Sequence, residues 1–439
     1  MILNFFKAGL GSIGSQVVGW LALPIIARLY NPSHYAEWAI VMAVAGILGV
    51  VACFRYELAI VLPQENIDAC PVFWWCILSS LGIAIFCSVI VLNPFLGRII
   101  LGRMVSAPIL FLLPLLVFIF GCTQAIKYWC VRQKAFLLVS IGQTVSTSAT
   151  VCFQIWYAMF RDVNSFGLIL GSFIGQIISL LCLGVGVFYC KIFPQLNLEI
   201  IQKIPAAIKY HKQFAQYSTP YSLFGVLRNR ASVFVLEAFS TANEVGLYVF
   251  AHRILHLPLT LVCGALRPVM FEEAASQGVK EAERKINIIL FVLGFVVTPF
   301  VVLYFFYSKE LFVLFFGEKW AEAGGIGKYI IVPVFVFIFS SWLDRILDIL
   351  GQQKILLILE GFFASISIAV LWLAFYFGLG MSSALLLQCI VLTLYALVYL
   401  YISFHKANYT KRNLIILFVE VVFVGVTSSF VLTLVIKFL

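Results

Sequence analysis

The chain has 439 residues, 63% of them hydrophobic and 11% charged, with a formal net charge of +10 and a mean hydropathy of +1.07. An average soluble chain carries about 25% charged residues, so this composition excludes a soluble globular protein and identifies an integral membrane protein. The apolar segments recur from residue 5 to the end, and no stretch is long and polar enough for a soluble catalytic domain.

Spans of about 20 apolar residues rising ~1.5 Å each predict helices over 5–27, 36–62, 71–93, 107–131, 135–160 and 165–190. The second half adds 214–238, 245–270, 286–307, 328–350, 354–377, 381–403 and 413–437. The first segment contains Lys7 but is too long for a signal peptide and lacks a small-residue cleavage site, so it is read as a retained helix. The second embeds ACFRYELAIVLP, residues 52–63, and so places Arg55 and Glu57 inside an apolar stretch. In a continuous helix two positions apart means about 200° around the axis, so these two are not expected to pair with each other. An unpartnered charge at mid-depth costs ~2.5–3.5 kcal/mol on insertion scales. Arg55 is therefore read either as lining a wet cavity or as part of a helix-to-helix salt bridge, and Glu57 as part of a salt bridge. The seventh helix carries Arg228 and Arg230, of which Arg228 lies at mid-span; the eighth carries Arg253 and Arg267. A loose internal alignment sets Glu57 against Arg267, which suggests a structural ion pair between the halves.

Lys and Arg in alternate connections set the orientation. With the N-terminus inside, the cytoplasmic segments, including Lys127, Arg132 and Lys134, hold twice as many as the opposite side. The positive charge then faces anionic lipid, and nothing resembles a module that reads nucleic acid. The eleven cysteines form no C-x-x-C and sit almost wholly in apolar spans, which reads as packing rather than disulfides or ligands. His252 and His256 share a helix face, but no third ligand is spaced to join them, so no metal site is expected.

The long inside connection 191–213 divides the chain after six helices, and the second half retraces the first. TQAIKYWCVRQKAFLL is answered by WLDRILDILGQQKILL, with Gln133 and Lys134 matching Gln353 and Lys354. An even number of helices per half gives two six-helix bundles, 1–190 and 214–403, in the same orientation. The cytoplasmic linker 191–213 joins them, and 404–439 is an appended helix. This is an all-α polytopic membrane protein whose substrate is expected between the halves.

RLYNPSHYAEW (28–38), RYELAIVLP (55–63), GLYVFAHRILHLP (246–258) and FGEKWAEAG (316–324) together resemble the polysaccharide transporters of the multidrug/oligosaccharidyl-lipid/polysaccharide (MOP) exporter superfamily, the O-antigen flippase type. The resemblance implies the MOP flippase fold in the bacterial cell inner membrane. It also implies movement of an undecaprenyl-diphosphate-linked oligosaccharide, a repeat unit of O-antigen, capsule or exopolysaccharide, to the periplasmic leaflet by alternating access. Partners would be that lipid-linked sugar, the bilayer and polysaccharide polymerase or ligase machinery. Such a substrate needs cations in a wet cavity, for which Arg55, Arg228 and Arg253 are the candidates. There is no ATP-binding loop, and no cofactor or enzymatic residue is expected. Glu57, Glu237, Asp344, Asp348, Glu360 and Glu420 are candidates for ion coupling. A cation-coupled exporter of the same superfamily is the alternative, although LGSIGSQVVGWLALPIIA in the first helix lacks a carboxylate. A membrane glycan ligase or polymerase would need a large outside loop, and the outside connections here are short.

This topology has a direct test. In a cysteine-free background, single cysteines at Asn197 and after Leu439 should label from opposite sides of the membrane; labelling from the same side would show that the last segment does not cross.

Overall fold

In the computed structural model, residues 2–63, 65–93 and 111–410 are described, and the regular structure among them is helical throughout. The chain divides into two compact units, Met1–Gly246 and Leu247–Leu439. The first contains α1 (Ile2–Leu29), α2 (Pro32–Ala52), α3 (Asn66–Leu92), α4 (Leu112–Arg132), α5 (Phe136–Phe160), α6 (Ser165–Tyr189), α7 (Leu198–Tyr210) and α8 (Thr219–Phe239). Helix α9 (Ala242–Gln277) leads into the second, followed by α10 (Glu283–Phe316), α11 (Ala321–Ser340), α12 (Asp344–Ile349), α13 (Gln353–Tyr376) and α14 (Met381–Lys406). Among the described residues, 10 helices are long and apolar enough to cross a membrane. Helix α8 misses that measure because Arg228, Asn229 and Arg230 interrupt its apolar run. The expected span 413–437, and residues 107–110 of the fourth, lie outside the described residues.

Several spans differ from the sequence reading. The second is not one helix over 36–62: α2 stops at Ala52, Phe54 and Arg55 adopt left-handed backbone with φ 47° and 60°, and Tyr56–Val61 forms a 3₁₀ turn. Left-handed backbone costs a side-chain-bearing residue about 1–2 kcal/mol, so the break persists only because packing holds it. The linker 191–213 is not plain loop, since α7 lies within it. There Asn197 caps the helix by accepting from the Ile200 amide at 2.8 Å, while Ile200 and Ile204, one turn apart, are buried. Residues 308–327, read as a loop, are mostly helical, because α10 runs on to Phe316 past a non-helical Tyr307. The span 328–350 is split by a turn between α11 and α12. A single π turn over Phe214–Ser218 precedes α8, where Pro220 has no amide to donate.

The motifs that suggested the family are packing devices. In the first, the Tyr30 hydroxyl donates to the Gln154 carbonyl at 2.8 Å, Pro32 opens α2, and the Trp38 indole donates to Ser172 Oγ at 2.9 Å. Together they tie the start of α2 to α5 and α6. Gly171 and Gly175 let α5 approach α6: a Cβ on Gly175 would stand 2.8 Å from the Ser146 carbonyl oxygen, and close approach of this kind drives helix association in lipid. In the second unit, Trp320 stacks on Phe250 with ring centroids 3.9 Å apart. Gly317 closes α10 at φ 98°, and Gly324 lies against the Ser308 backbone, where a Cβ would fall 2.3 Å from the carbonyl oxygen.

The repeat appears in how helices end. Lys134, Lys191, Gly351, Gly378 and Asn408 all have left-handed backbone. In each case the following amide reaches back five residues, as Ala135 N–H does to Cys130 O at 2.8 Å and Gln352 N–H to Leu347 O at 2.9 Å. This is the cap that closes a helix with its last carbonyls satisfied. It matches Lys134 with Gly351, three residues away from the register that pairs Lys134 with Lys354. None of the eleven cysteines forms a disulfide, and eight of them are buried.

Gly246 offers the sharpest test of the packing. A Cβ there would sit 1.7 Å from the Pro32 carbonyl oxygen, whereas at Gly264 nothing lies within 4 Å. Gly246→Ala should therefore lower the thermal midpoint of the solubilised protein, at a cost of about 1–3 kcal/mol from overpacking. Gly264→Ala should leave it unchanged or slightly raised, and equal behaviour of the two variants would refute this packing.

Candidate functional site

In lipid, a break in a membrane helix exposes backbone groups that water cannot reach, so each must find a protein partner. At the end of α2 the partners are specific. The Arg132 guanidinium donates through Nη1 to Ile60 O at 3.0 Å and Pro63 O at 2.6 Å, and through Nε to Asn66 Oδ1 at 2.9 Å. The Tyr56 hydroxyl donates to Ile208 O at 3.2 Å. Around them, Cys53, Tyr56, Ile60, Phe73, Trp129 and Ile200 form a buried cluster. Arg132, counted from sequence as a loop charge that sets topology, is thus the clamp of the broken helix.

The same break changes the reading of Arg55 and Glu57. In a continuous helix they would diverge; across the left-handed turn, Arg55 Nη1 lies 3.2 Å from Glu57 Oε1. Glu57 is 4% exposed, and Arg55 Nε and Glu57 Oε2 are buried without a hydrogen-bond partner. In the second unit, Arg267 Nε lies 3.0 Å from the Asp344 carboxylate, and its Nη2 donates to Ser341 O at 2.9 Å. Glu57 and Arg267, expected as one ion pair, each have a partner inside their own unit. Arg228 and Arg253 are half-buried and Arg230 is exposed, and each of the three also has an interaction partner.

His252 and His256 stack face to face, with ring centroids 3.7 Å apart, so their nitrogens do not converge on one point. Among the described residues no group of three or more metal-ligating side chains occurs. In the second unit, Tyr395 donates a short hydrogen bond to Glu360, a carboxylate buried between α13 and α14. Burial lowers the pKa of His211 at the end of α7, and the exposed lysines of the linker are Lys191, Lys203, Lys209 and Lys212.

Inside the first unit lies a cavity of ≈ 250 Å³ that sequence reasoning missed. Helices α1, α4, α5 and α6 line it with Ser15, Gln124, Lys127, Gln143, Gln176 and Ser179, together with other polar side chains. Lys127, which the charge count sets on the cytoplasmic side, stands five residues inside the end of α4. A signal was present: Thr123, Gln124 and Lys127 share one face of that helix, and Gln143, Ser146 and Thr147 share one face of α5.

The model for the polysaccharide biosynthesis protein family matches residues 25–324. The chain belongs to that family. Its fold is also that of the MOP superfamily. A solved lipid II flippase MurJ, in an inward closed conformation, superposes with a TM-score of 0.70 at 14% identity, covering 99% of both chains. An inward-facing multidrug resistance MATE family transporter of the MOP superfamily gives 0.65 at 15% identity, covering 90% of this chain and 94% of its own. A MOP superfamily transporter from Pyrococcus furiosus, described as having a binding pocket of reverse polarity, gives 0.59 at 14% identity over 92% and 95%. No curated protein matches the chain. This member of the polysaccharide biosynthesis family is accordingly a multi-pass membrane protein with two helical units and intramembrane basic residues in each.

The pairing across the broken second helix can be tested by neutralisation. Arg55→Met or Glu57→Gln alone strands one buried charge, which costs a few kcal/mol after allowance for the partial exposure of Arg55, so folded protein in the membrane should fall for each. The double variant should recover most of the loss. Three equal losses would show that the two charges act separately.

Proposed function

We propose that the chain is a flippase that carries an undecaprenyl-diphosphate-linked oligosaccharide across the bacterial cytoplasmic membrane by alternating access. The glycan would be a repeat unit of O-antigen, capsule or exopolysaccharide. The observation that carries this reading is membership of the polysaccharide biosynthesis family over residues 25–324; the likeness in fold to a lipid II flippase supports it. In the proposed mechanism, residues 1–190 and 214–403 act as parallel bundles joined by the cytoplasmic linker. Arg55, Arg228 and Arg253 attract the diphosphate and any sugar acids, because low dielectric strengthens charge attraction. Multisite, individually weak contacts let the substrate leave. The protein performs no covalent chemistry; polymerase or ligase machinery would take up the product. Glu57 serves here as the partner of Arg55 rather than as a substrate contact, since a carboxylate repels a diphosphate.

A cation-coupled exporter of small molecules is the competing reading, favoured by the likeness in fold to a MATE family transporter. The two differ in what accumulates when the protein is absent. Deletion should leave lipid-linked oligosaccharide on the cytoplasmic leaflet and remove surface glycan, whereas an exporter would leave both unchanged.

The arginines are tested by measuring abundance and surface glycan together. Arg228→Ala and Arg253→Ala should each reduce glycan per folded molecule about tenfold or more, the loss of one charge-assisted contact, and Lys at the same positions should retain more activity than Ala. For Arg55 the informative protein is the Arg55→Met, Glu57→Gln double variant, which should fold yet transport poorly. Normal glycan at normal abundance in all of them would remove these arginines from the mechanism.

A further inference from the structure

The cavity inside the first unit is independent of the substrate reading above, and its chemistry is one-sided. Lys127 supplies an ammonium with three N–H donors; Gln124, Gln143 and Gln176 supply amides; Ser15, Ser146, Thr147 and Ser179 supply hydroxyls. Among the described residues no carboxylate lines it, and α1 has none anywhere in its sequence. Carboxylates elsewhere in the unit have their own partners, Glu37 with Ser165, Glu57 with Arg55, Glu199 with Lys203 and Glu244 with Thr241. No ion pair or hydrogen bond satisfies Lys127 among the described residues. The Thr123 hydroxyl on the same wall is buried and has no hydrogen-bond partner. Buried polar groups in native proteins are nearly always satisfied by protein, water or a bound ligand, so both observations point to an occupant.

The size of the cavity restricts what that occupant can be. At roughly 30 Å³ per water, ≈ 250 Å³ holds a small ion with part of its hydration shell. Organic ligands usually fill about 300–1,000 Å³, and a lipid-linked oligosaccharide is far larger. A cation would face an ammonium and no countercharge, while an anion finds an ammonium, amides and hydroxyls that can all donate to it. We infer that this cavity is a binding site for a small monovalent inorganic anion, chloride being the probe of choice, held by Lys127 with Gln124, Gln143 and Gln176 around it. The anion supplies the countercharge that the helix bundle lacks, and charge-assisted hydrogen bonds from Lys127 are the strongest it can receive there.

The competing explanation is that Lys127 only snorkels, extending its stem through the cavity toward the cytoplasmic surface about 8 Å away along the helix axis. A snorkelling lysine is indifferent to the identity of the anion in solution. The two are separated by thermal unfolding of the purified full-length protein, followed by tryptophan fluorescence while gluconate is exchanged for chloride at constant ionic strength. A bound anion stabilises the folded state with a saturable dependence on its concentration, so the unfolding midpoint of the unsubstituted protein should rise and level off. Lys127→Gln should abolish the saturable rise, and Lys127→Arg should keep it. Gln143→Leu should weaken the half-saturating concentration at least about tenfold, the loss of one hydrogen bond to a charged group. A midpoint equal in chloride and gluconate for the unsubstituted protein overturns the inference, as does a Lys127→Gln protein that saturates like the parent. Should Lys127→Gln fail to fold, Gln143→Leu decides: a weakened half-saturation supports the site, and an unchanged one overturns it.

Discussion

The structure depends on one constraint: inside hydrocarbon a backbone N–H or C=O that leaves the helical ladder must be met by protein, because water is absent. At several places where the described chain departs from α-helix, a side chain or a five-residue cap supplies the missing partner. Arg132 meets the carbonyls of Ile60 and Pro63 at the end of the broken second span. Trp74 and Trp129 donate to Gln195 and Ile192 where the chain enters the linker. Tyr304 donates to the Gly324 carbonyl in the first turn of α11. These residues would look like ordinary aromatic or basic content in a count of composition. The positions of Arg132, Trp74 and Trp129 instead follow where the backbone breaks.

Charge obeys the same economy. Arg55 with Glu57 and Arg267 with Asp344 are pairs made within a few residues or between neighbouring helices of one unit, and Arg132 is absorbed by carbonyls. A cation satisfied locally is held in place by its partner. Lys127 differs, because polar but uncharged side chains surround it. The first unit therefore holds a positive charge in a polar pocket apart from the arginines proposed to attract substrate.

Much of the fold was legible in the sequence because hydropathy needs only local information. Length and apolar period suffice to place most of the apolar helices approximately, since a helix satisfies its own backbone regardless of its neighbours. The family was legible as well, through motifs whose glycines, prolines and aromatics record close packing. What hydropathy could not show was any feature that requires a second segment. The run from Ala36 to Leu62 is apolar enough for one helix; it breaks at Phe54 and Arg55 because α3, α4 and the linker offer a packed cluster and a guanidinium that make the break tolerable.

The same reason separates what the sequence alone determined from what tertiary structure decided. The sequence determined that the chain is a polytopic membrane protein of the polysaccharide biosynthesis family with charged residues at depth, because transfer energies are properties of single side chains. Tertiary structure decided the partners. It turned Arg55 and Glu57, opposed on an ideal helix, into a pair, gave Arg267 to Asp344, and set Lys127, counted from sequence among the cytoplasmic charges, in a polar cavity. Pairing energies depend on distance and surroundings, and both are set only when the chain has folded around the charge.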